Sequence, residues 1–125
     1  MNDSARSILY WAPRGLCILF IAFLSMFALD VFQEGLGVWQ TALALFMHLI
    51  PSFVMALILA LAWRWEWIGA AAFAGAALVF LFNMPRHLSP QGRQSAALII
   101  AGPVFVIAAL FLANWMKRAQ LHPRR

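Results

Sequence analysis

Four long runs of apolar residues, separated by short polar segments, dominate the pattern along the chain. The runs cover residues 15–32, 38–63, 67–82 and 96–115. A helix needs about 20 such residues to cross the roughly 30 Å hydrocarbon core of a bilayer, and each run approaches or exceeds that length. No run alternates polar and apolar residues as a membrane barrel strand does. The pattern predicts an all-α, polytopic membrane protein, with one domain over residues 1–125 built as a bundle of four transmembrane helices.

The junctions between the runs predict where the helices turn. In the third junction, NMPRHLSPQGRQS, Ser89 is a suitable N-cap and Pro90 a suitable first residue for the last helix. The second junction, WRWEW, contains neither proline nor glycine. A helix that continued through it would have 45 residues and a length of about 67 Å, which no bilayer accommodates. A turn is therefore predicted near Arg64 and Glu66.

Basic residues fall unevenly on the two sides of the predicted bundle. If the N-terminus is cytoplasmic, seven of the nine lysines and arginines lie inside, as the positive-inside rule requires. Five of the six tryptophans also fall at the inner helix ends, where aromatic residues anchor membrane proteins. Both termini are therefore predicted to be cytoplasmic. The inner basic residues are Arg6, Arg14, Arg64, Lys117, Arg118, Arg124 and Arg125, and the outer ones are Arg86 and Arg93.

The composition excludes a soluble globular domain. The chain is 65% hydrophobic and 10% charged, whereas soluble domains are about 45–50% apolar and about 25% charged. The formal net charge of +5 is then explained by topology and by attraction to anionic lipid, and not by nucleic-acid binding. The expected partners are the lipid bilayer and either a second copy of the chain or a larger membrane protein.

The sequence offers little support for catalysis. Cys17 is the single cysteine, so one chain forms no internal disulfide and no cysteine-rich metal site, and Cys17 is expected to be a small apolar helix residue. Neither a nucleophile with its base nor a cluster of metal ligands is visible. We predict a protein that is not an enzyme, with no catalytic residue, no metal and no cofactor.

The stretch ALFMHLIPSF holds three candidate functional residues: His48, Pro51 and Ser52. A spacing of four residues along the second helix selects only polar or small side chains, which predicts a ridge packed against other helices, with His48 held by one hydrogen bond. The alternative is a proton or ligand site, in which Pro51 leaves a carbonyl free beside the imidazole. Packing is favoured because a neutral imidazole costs far less in a membrane than a charge. The ridge consists of Gln40, Ala44, His48, Ser52, Ala56 and Ala60.

Asp30, near the outer end of the first helix, is the fourth candidate. A carboxylate at a helix C-terminus is opposed by the helix dipole and needs compensation. Arg86 and Arg93, in the loop on the same side, are the expected partners. A direct pair with His48 is not expected, because His48 lies about 15 Å along its helix from the outer end. Pairing at the boundary is favoured over a role as an outer gate.

Two features of the last two helices predict how these helices pack, and neither provides a reactive group. Ala71 and Gly75 form a small-xxx-small pair of the kind that lets helix backbones approach closely. Pro103 is expected to weaken or kink the last helix, because proline lacks the amide that helical bonding requires.

The stretches LFIAFLSMFALDVF, ALFMHLIPSF, WRWEWIGA and AGPVFVIAALFLANW together resemble a family of small, four-span bacterial membrane proteins known only as a domain of unknown function. The resemblance extends over residues 14–115, and its most specific elements are residues 27–30 and 48–51. It implies four helices and a multi-pass location in the bacterial inner (plasma) membrane. It implies no activity.

Two functional classes stay open on the sequence. The favoured one is an interaction or accessory protein of the plasma membrane. The alternative is a small proton-coupled transporter or exporter that uses His48, with Asp30 as an outer gate. Small multidrug exporters have a similar length and span count, but they carry a glutamate within the first span, and residues 15–32 contain none.

Overall fold

Four helical spans form the molecule in the computed structural model, which describes residues 2–33, 35 and 37–121. The all-α class and the four-helix bundle predicted from the sequence are confirmed. The elements are α1 (Asp3–Met26), a 3-10 extension of α1 (Phe27–Gln33), α2 (Val38–Arg64), α3 (Glu66–Phe82), α4 (Pro90–Ala96), a π-helical turn (Ala97–Ala101), α5 (Gly102–Met116) and a short α6 (Arg118–Leu121).

Three of the spans are long and apolar enough to cross a membrane: Asp3–Phe32, Val38–Arg64 and Pro90–Met116. The fourth, Glu66–Phe82, is a shorter apolar helix. Large apolar side chains cover the outside of the bundle, among them Leu19, Leu57 and Val79. An apolar exterior of this extent suits lipid and not water. By the length and composition of its helices, the chain is a membrane protein.

The helix ends show how local sequence terminates each span. α1 begins at Asp3, well before the first apolar run, because Asn2 Oδ1 accepts from the Ala5 amide at 2.8 Å and caps the helix. At the start of α4, Ser89 Oγ accepts from the Gly92 amide at 3.0 Å and Pro90 is the first helical residue. The predicted cap at Ser89 and Pro90 is therefore confirmed.

The predicted turn between the second and third helices is also confirmed. α2 ends at Arg64 and α3 begins at Glu66, so Trp65 is the single residue between them. Trp65 has an extended backbone with φ −124° and ψ 90°, and its amide still donates to the Leu61 carbonyl. One extended residue is thus enough to separate the two spans.

Pro103 weakens the last span in the predicted region. The chain adopts a π-helical turn immediately before α5, in which the Gly102 amide donates to the Ala97 carbonyl. Proline at position 103 supplies no amide to continue regular α-helical bonding, and the single π-helical turn before it is an irregularity of the kind that interrupts an α-helix.

The core lies where the four spans meet. The Phe73 and Phe111 rings stack with their centroids 5.9 Å apart, and Cys17 is fully buried beside them, as expected of a small apolar residue. The close helix contact predicted for Ala71 and Gly75 is wrong, because Ala71 is exposed and a Cβ on Gly75 would meet no atom within 4 Å.

The close approach occurs instead at Gly69. A Cβ on Gly69 would lie 2.6 Å from the Ala62 Cβ and 3.0 Å from the Phe111 ring, so α2, α3 and α5 come together at this glycine. Ala71 is two residues along α3 from Gly69, about 200° around the helix, and therefore faces away from that contact.

Candidate functional site

A buried arginine stands at one end of the bundle, level with the turn between α2 and α3. Arg14 has no exposed surface. Its Nη1 donates to the Tyr10 carbonyl at 2.6 Å, and its Nη2 donates to the Trp63 carbonyl at 3.1 Å and to Glu66 Oε1 at 3.4 Å. The guanidinium carbon lies 3.8 Å from the centroid of the Tyr10 ring. Planar guanidinium groups suit such mixed carboxylate, carbonyl and aromatic surroundings.

Glu66 occupies this site because the chain turns at Trp65. The turn makes Glu66 the first residue of α3, where the positive end of the helix dipole favours a carboxylate. Its side chain is only 6% exposed, and the ion pair with Arg14 joins α1 to the start of α3. A carboxylate this deeply buried needs a cation and hydrogen bonds to remain charged.

Asn114 brings the fourth span into the same end of the bundle. It is fully buried on α5, and its Nδ2 donates to the Leu9 carbonyl at 2.9 Å and to the Leu110 carbonyl at 2.8 Å. The bond to Leu9 ties α5 to α1. We call Arg14, Glu66 and Asn114 the polar cluster. Within the part of the chain that the structure describes, Arg14 Nε and Asn114 Oδ1 have no hydrogen-bond partner.

The ion pair and hydrogen bonds of the polar cluster hold helices together. Its carboxylate is paired and its amide is bonded to two carbonyls. Around this end the tryptophans Trp11, Trp63, Trp65, Trp67 and Trp115 are all exposed. Exposed tryptophans at one level are typical of a membrane–water interface, and this pattern predicts a bilayer boundary near the cluster.

Within the single chain, the predicted ridge on α2 is wrong as a packing surface. Of its six residues only Ser52 is buried, and His48, Ala56 and Ala60 are exposed. Residues spaced by four advance about 40° around the helix at each step, so the ridge rotates away from any one neighbour. The packed face mixes spacings of three and four, and it consists of Ser52, Met55, Leu59 and Ala62.

His48 is exposed on α2 and bonds within its own helix. Its Nδ1 lies 2.8 Å from the Ala44 carbonyl. The carbonyl can only accept, so Nδ1 donates, and in the tautomer with its proton on Nδ1 the Nε2 atom is an acceptor. α3 extends for only 17 residues from the shared turn at Trp65. It therefore ends at about the level of His48, and no part of α3 reaches past it.

Ser52 and Pro51 lie in different surroundings from His48. Ser52 is buried, and its hydroxyl is 3.1 Å from that of Ser25, a hydrogen bond between α1 and α2 of the kind expected for a polar residue inside the bundle. Pro51 is exposed and borders an apolar cavity of about 320 Å³. The structure thus brings Ser52 and Pro51 next to the bundle interior, while His48 lies about one turn above them.

Asp30 is exposed and forms no ion pair in the part of the chain that the structure describes, so the predicted pairing with Arg86 or Arg93 is not found. Exposed pairs between long side chains are weak and do not hold one geometry. No hydrogen bond joins Asp30 to His48 either. In residues 2–33, 35 and 37–121, no group of three or more His, Cys, Asp and Glu side chains is placed to hold a metal ion.

The polar cluster was not predicted from the sequence, although a signal was present. Glu66 is the single acidic residue after position 34 and stands between two apolar runs. A lone carboxylate there requires a cation nearby. Arg14 lies at the start of the first apolar run on the same predicted side, but in the sequence it contributes only to the predicted topology. Asn114 gave no comparable signal.

The fold and the polar cluster together define a helical membrane protein whose buried polar side chains join its own helices. A family model with the description "Domain of unknown function (DUF7670)" matches residues 1–122, and the chain belongs to that family. The predicted membership in a family of unknown function is thereby confirmed. No curated protein and no solved structure matches the chain.

Proposed function

We propose that this chain is an accessory protein of the bacterial inner membrane that acts by packing against another transmembrane chain, and that the outer half of α2 supplies the contact. One observation carries the proposal. In residues 38–51 no side chain is buried and ten of the 14 are exposed, whereas residues 52–62 include four buried side chains. We call residues 38–51 the outer α2 segment.

The exposure of His48 on this segment needs an explanation, because the hydrocarbon of a lipid offers no hydrogen bond to an imidazole. α2 is 27 residues long, or about 40 Å, and His48 is about 15 Å from one end and about 24 Å from the other. This position lies within the hydrocarbon region, where polar side chains face protein and not lipid. Among the residues that the structure describes, none bonds to His48 Nε2. A partner helix with a hydrogen-bond donor would satisfy it.

Site-specific photocrosslinking tests whether the outer α2 segment touches another chain. A photoreactive residue at Met47, which is exposed beside His48, should give a discrete crosslinked product in intact membranes. The control is the same residue at Val79, which is equally exposed on α3. A product of twice the mass of the chain identifies a second copy, and another discrete mass identifies a larger partner. Equal diffuse labelling of lipid from both positions would contradict the proposal.

The alternative, a proton-coupled transporter, needs a polar route that begins at His48. The nearest buried polar group below it in the described residues is Ser52, and the polar cluster begins only about 18 Å further along α2. Apolar side chains such as Leu59, Phe73 and Ile107 fill the space between. Purified protein in liposomes should therefore dissipate a pH gradient no faster than protein-free liposomes. A flux that disappears in His48→Gln would favour the transporter.

A further inference from the structure

An apolar cavity of about 320 Å³ lies among all four helical spans, in the half of the bundle away from the polar cluster. In the part of the chain that the structure describes, eleven residues line it, and every one of them is apolar. Lining positions that represent the four spans are Leu24, Pro51, Met55, Ala77, Phe80 and Ala101.

The cavity is large enough for a hydrocarbon chain. A cavity of about 150 Å³ holds one benzene molecule, so about 320 Å³ holds on the order of a dozen carbon atoms. Apolar cavities stay dry because water finds no hydrogen-bond partner in them. In a bilayer the surrounding medium is hydrocarbon, and a lipid chain enters such a space without losing any polar contact.

The cavity is open toward the lipid on the side of α2. Pro51 is exposed, and Val54, which also lines the cavity, is 48% exposed. Phe80 lies two residues before the end of α3, so the top of the cavity is close to the loop that follows α3. A chain from the outer leaflet therefore has a lateral entry.

Cationic side chains stand at the same end of the molecule. Arg86 lies in the loop after α3 and Arg93 lies on α4, and both are exposed. Neither forms an ion pair with any side chain in the described part of the protein. The headgroup of a lipid whose chain occupies the cavity would lie at the level of these arginines, and an anionic phosphate suits two unpaired guanidinium groups.

From the cavity and the arginines together, we propose that the protein binds one acyl chain of an anionic phospholipid in this cavity, with the phosphate near Arg86 and Arg93. The site belongs to a single chain, and apart from Pro51 its lining residues lie outside the outer α2 segment. It assigns a role to Pro51, which borders the opening through which the lipid chain enters.

The test uses full-length protein in phosphatidylcholine vesicles that contain a phosphatidylglycerol with a photoreactive group midway along one acyl chain. After irradiation, crosslinks mapped by mass spectrometry should concentrate on residues 51–55 and 76–80. Ala76→Phe should reduce them by about tenfold, because the added ring fills the cavity. Ala71→Phe is the matched control on the exposed side of α3, and it should leave them unchanged.

Folding of each variant is checked by its helical content and thermal stability in detergent. If Ala76→Phe does not fold, Ala101→Leu fills the cavity from the side of the π-helical turn and should give the same loss. Crosslinking of a folded cavity-filling variant at the level of the Ala71→Phe control would overturn the proposed location of the chain.

A second measurement tests the headgroup. The same photoreactive chain on phosphatidylcholine should crosslink less than on phosphatidylglycerol in the wild-type protein. In the double variant Arg86→Gln/Arg93→Gln the two probes should crosslink equally. Equal crosslinking of both lipids in the wild-type protein would overturn the assignment of an anionic headgroup.

Discussion

At the scale of single residues, the ion pair of Arg14 and Glu66 determines how the helices meet at one end of the bundle. Both side chains are almost completely buried. The net stabilisation from a buried pair is small, because desolvation offsets most of the attraction. Removal of one partner is different, because it leaves an uncompensated charge in an apolar environment.

Arg14→Met should therefore destabilise the protein by about 3–5 kcal/mol, since it removes the guanidinium group from the buried Glu66 carboxylate. The double variant Arg14→Met/Glu66→Gln should recover part of that loss. Arg6→Met serves as the control, because Arg6 pairs with the fully exposed Asp3 at 3.8 Å, and it should cause little change. Denaturation in mixed micelles measures all three. If Arg14→Met were as stable as the wild type, the ion pair would not contribute to holding the helices together.

Some residue roles could be predicted from the sequence and others could not. The role of Cys17 as a small apolar helix residue was predicted from residue type alone, because such a side chain fits a helical core whatever its neighbours. The pairing of Arg14 with Glu66 depends on two residues 52 positions apart, and a single sequence does not reveal which helices are neighbours. The exposure of His48 depends on the length of α3 and on where α3 ends beside α2.

At the scale of helices, Gly69 controls the contact of α2, α3 and α5. Gly69→Ala should destabilise the bundle by about 1–3 kcal/mol, because the new methyl group would overlap Ala62 and press on Phe111. Gly75→Ala on the same helix is the matched control. Nothing lies within 4 Å of the methyl group there, so it should stabilise α3 by up to about 1 kcal/mol. Thermal unfolding in detergent compares them. Equal effects would refute the close contact.

The ends of the helices were more predictable than their faces. The cap at Ser89 and the turn before Glu66 follow from local chemistry and from the maximum length of a span. The prediction that the ridge on α2 is packed along its length was wrong, because a row of residues spaced by four is not parallel to the helix axis. Which part of such a row is covered depends on where the neighbouring helices begin and end.

At the scale of the whole molecule, one end carries the polar cluster, five exposed tryptophans and the turn at Trp65, and the other end carries the loop with Arg86. The tryptophans predict a membrane interface at the first end. The excess of basic residues at that end predicts that it faces the cytoplasm.

A reporter that is active only outside the cytoplasm tests this orientation. Fused after residue 125 it should be inactive, and inserted into the loop between Arg86 and Arg93 it should be active, because seven of the nine basic residues would then lie inside. A fusion of a reporter active only in the cytoplasm provides the reciprocal control. The reverse activity pattern would refute the orientation.

The central claim is that His48 contributes to contact with another chain and does not act by titration. The most direct measurement is the yield of the crosslink from Met47 in the wild type, His48→Gln and His48→Leu. Glutamine retains a donor and an acceptor, so the yield should persist. Leucine leaves the partner's donor unsatisfied at about 1–3 kcal/mol, so the yield should fall roughly tenfold. Equal loss in both variants, each shown to be folded, would contradict the claim.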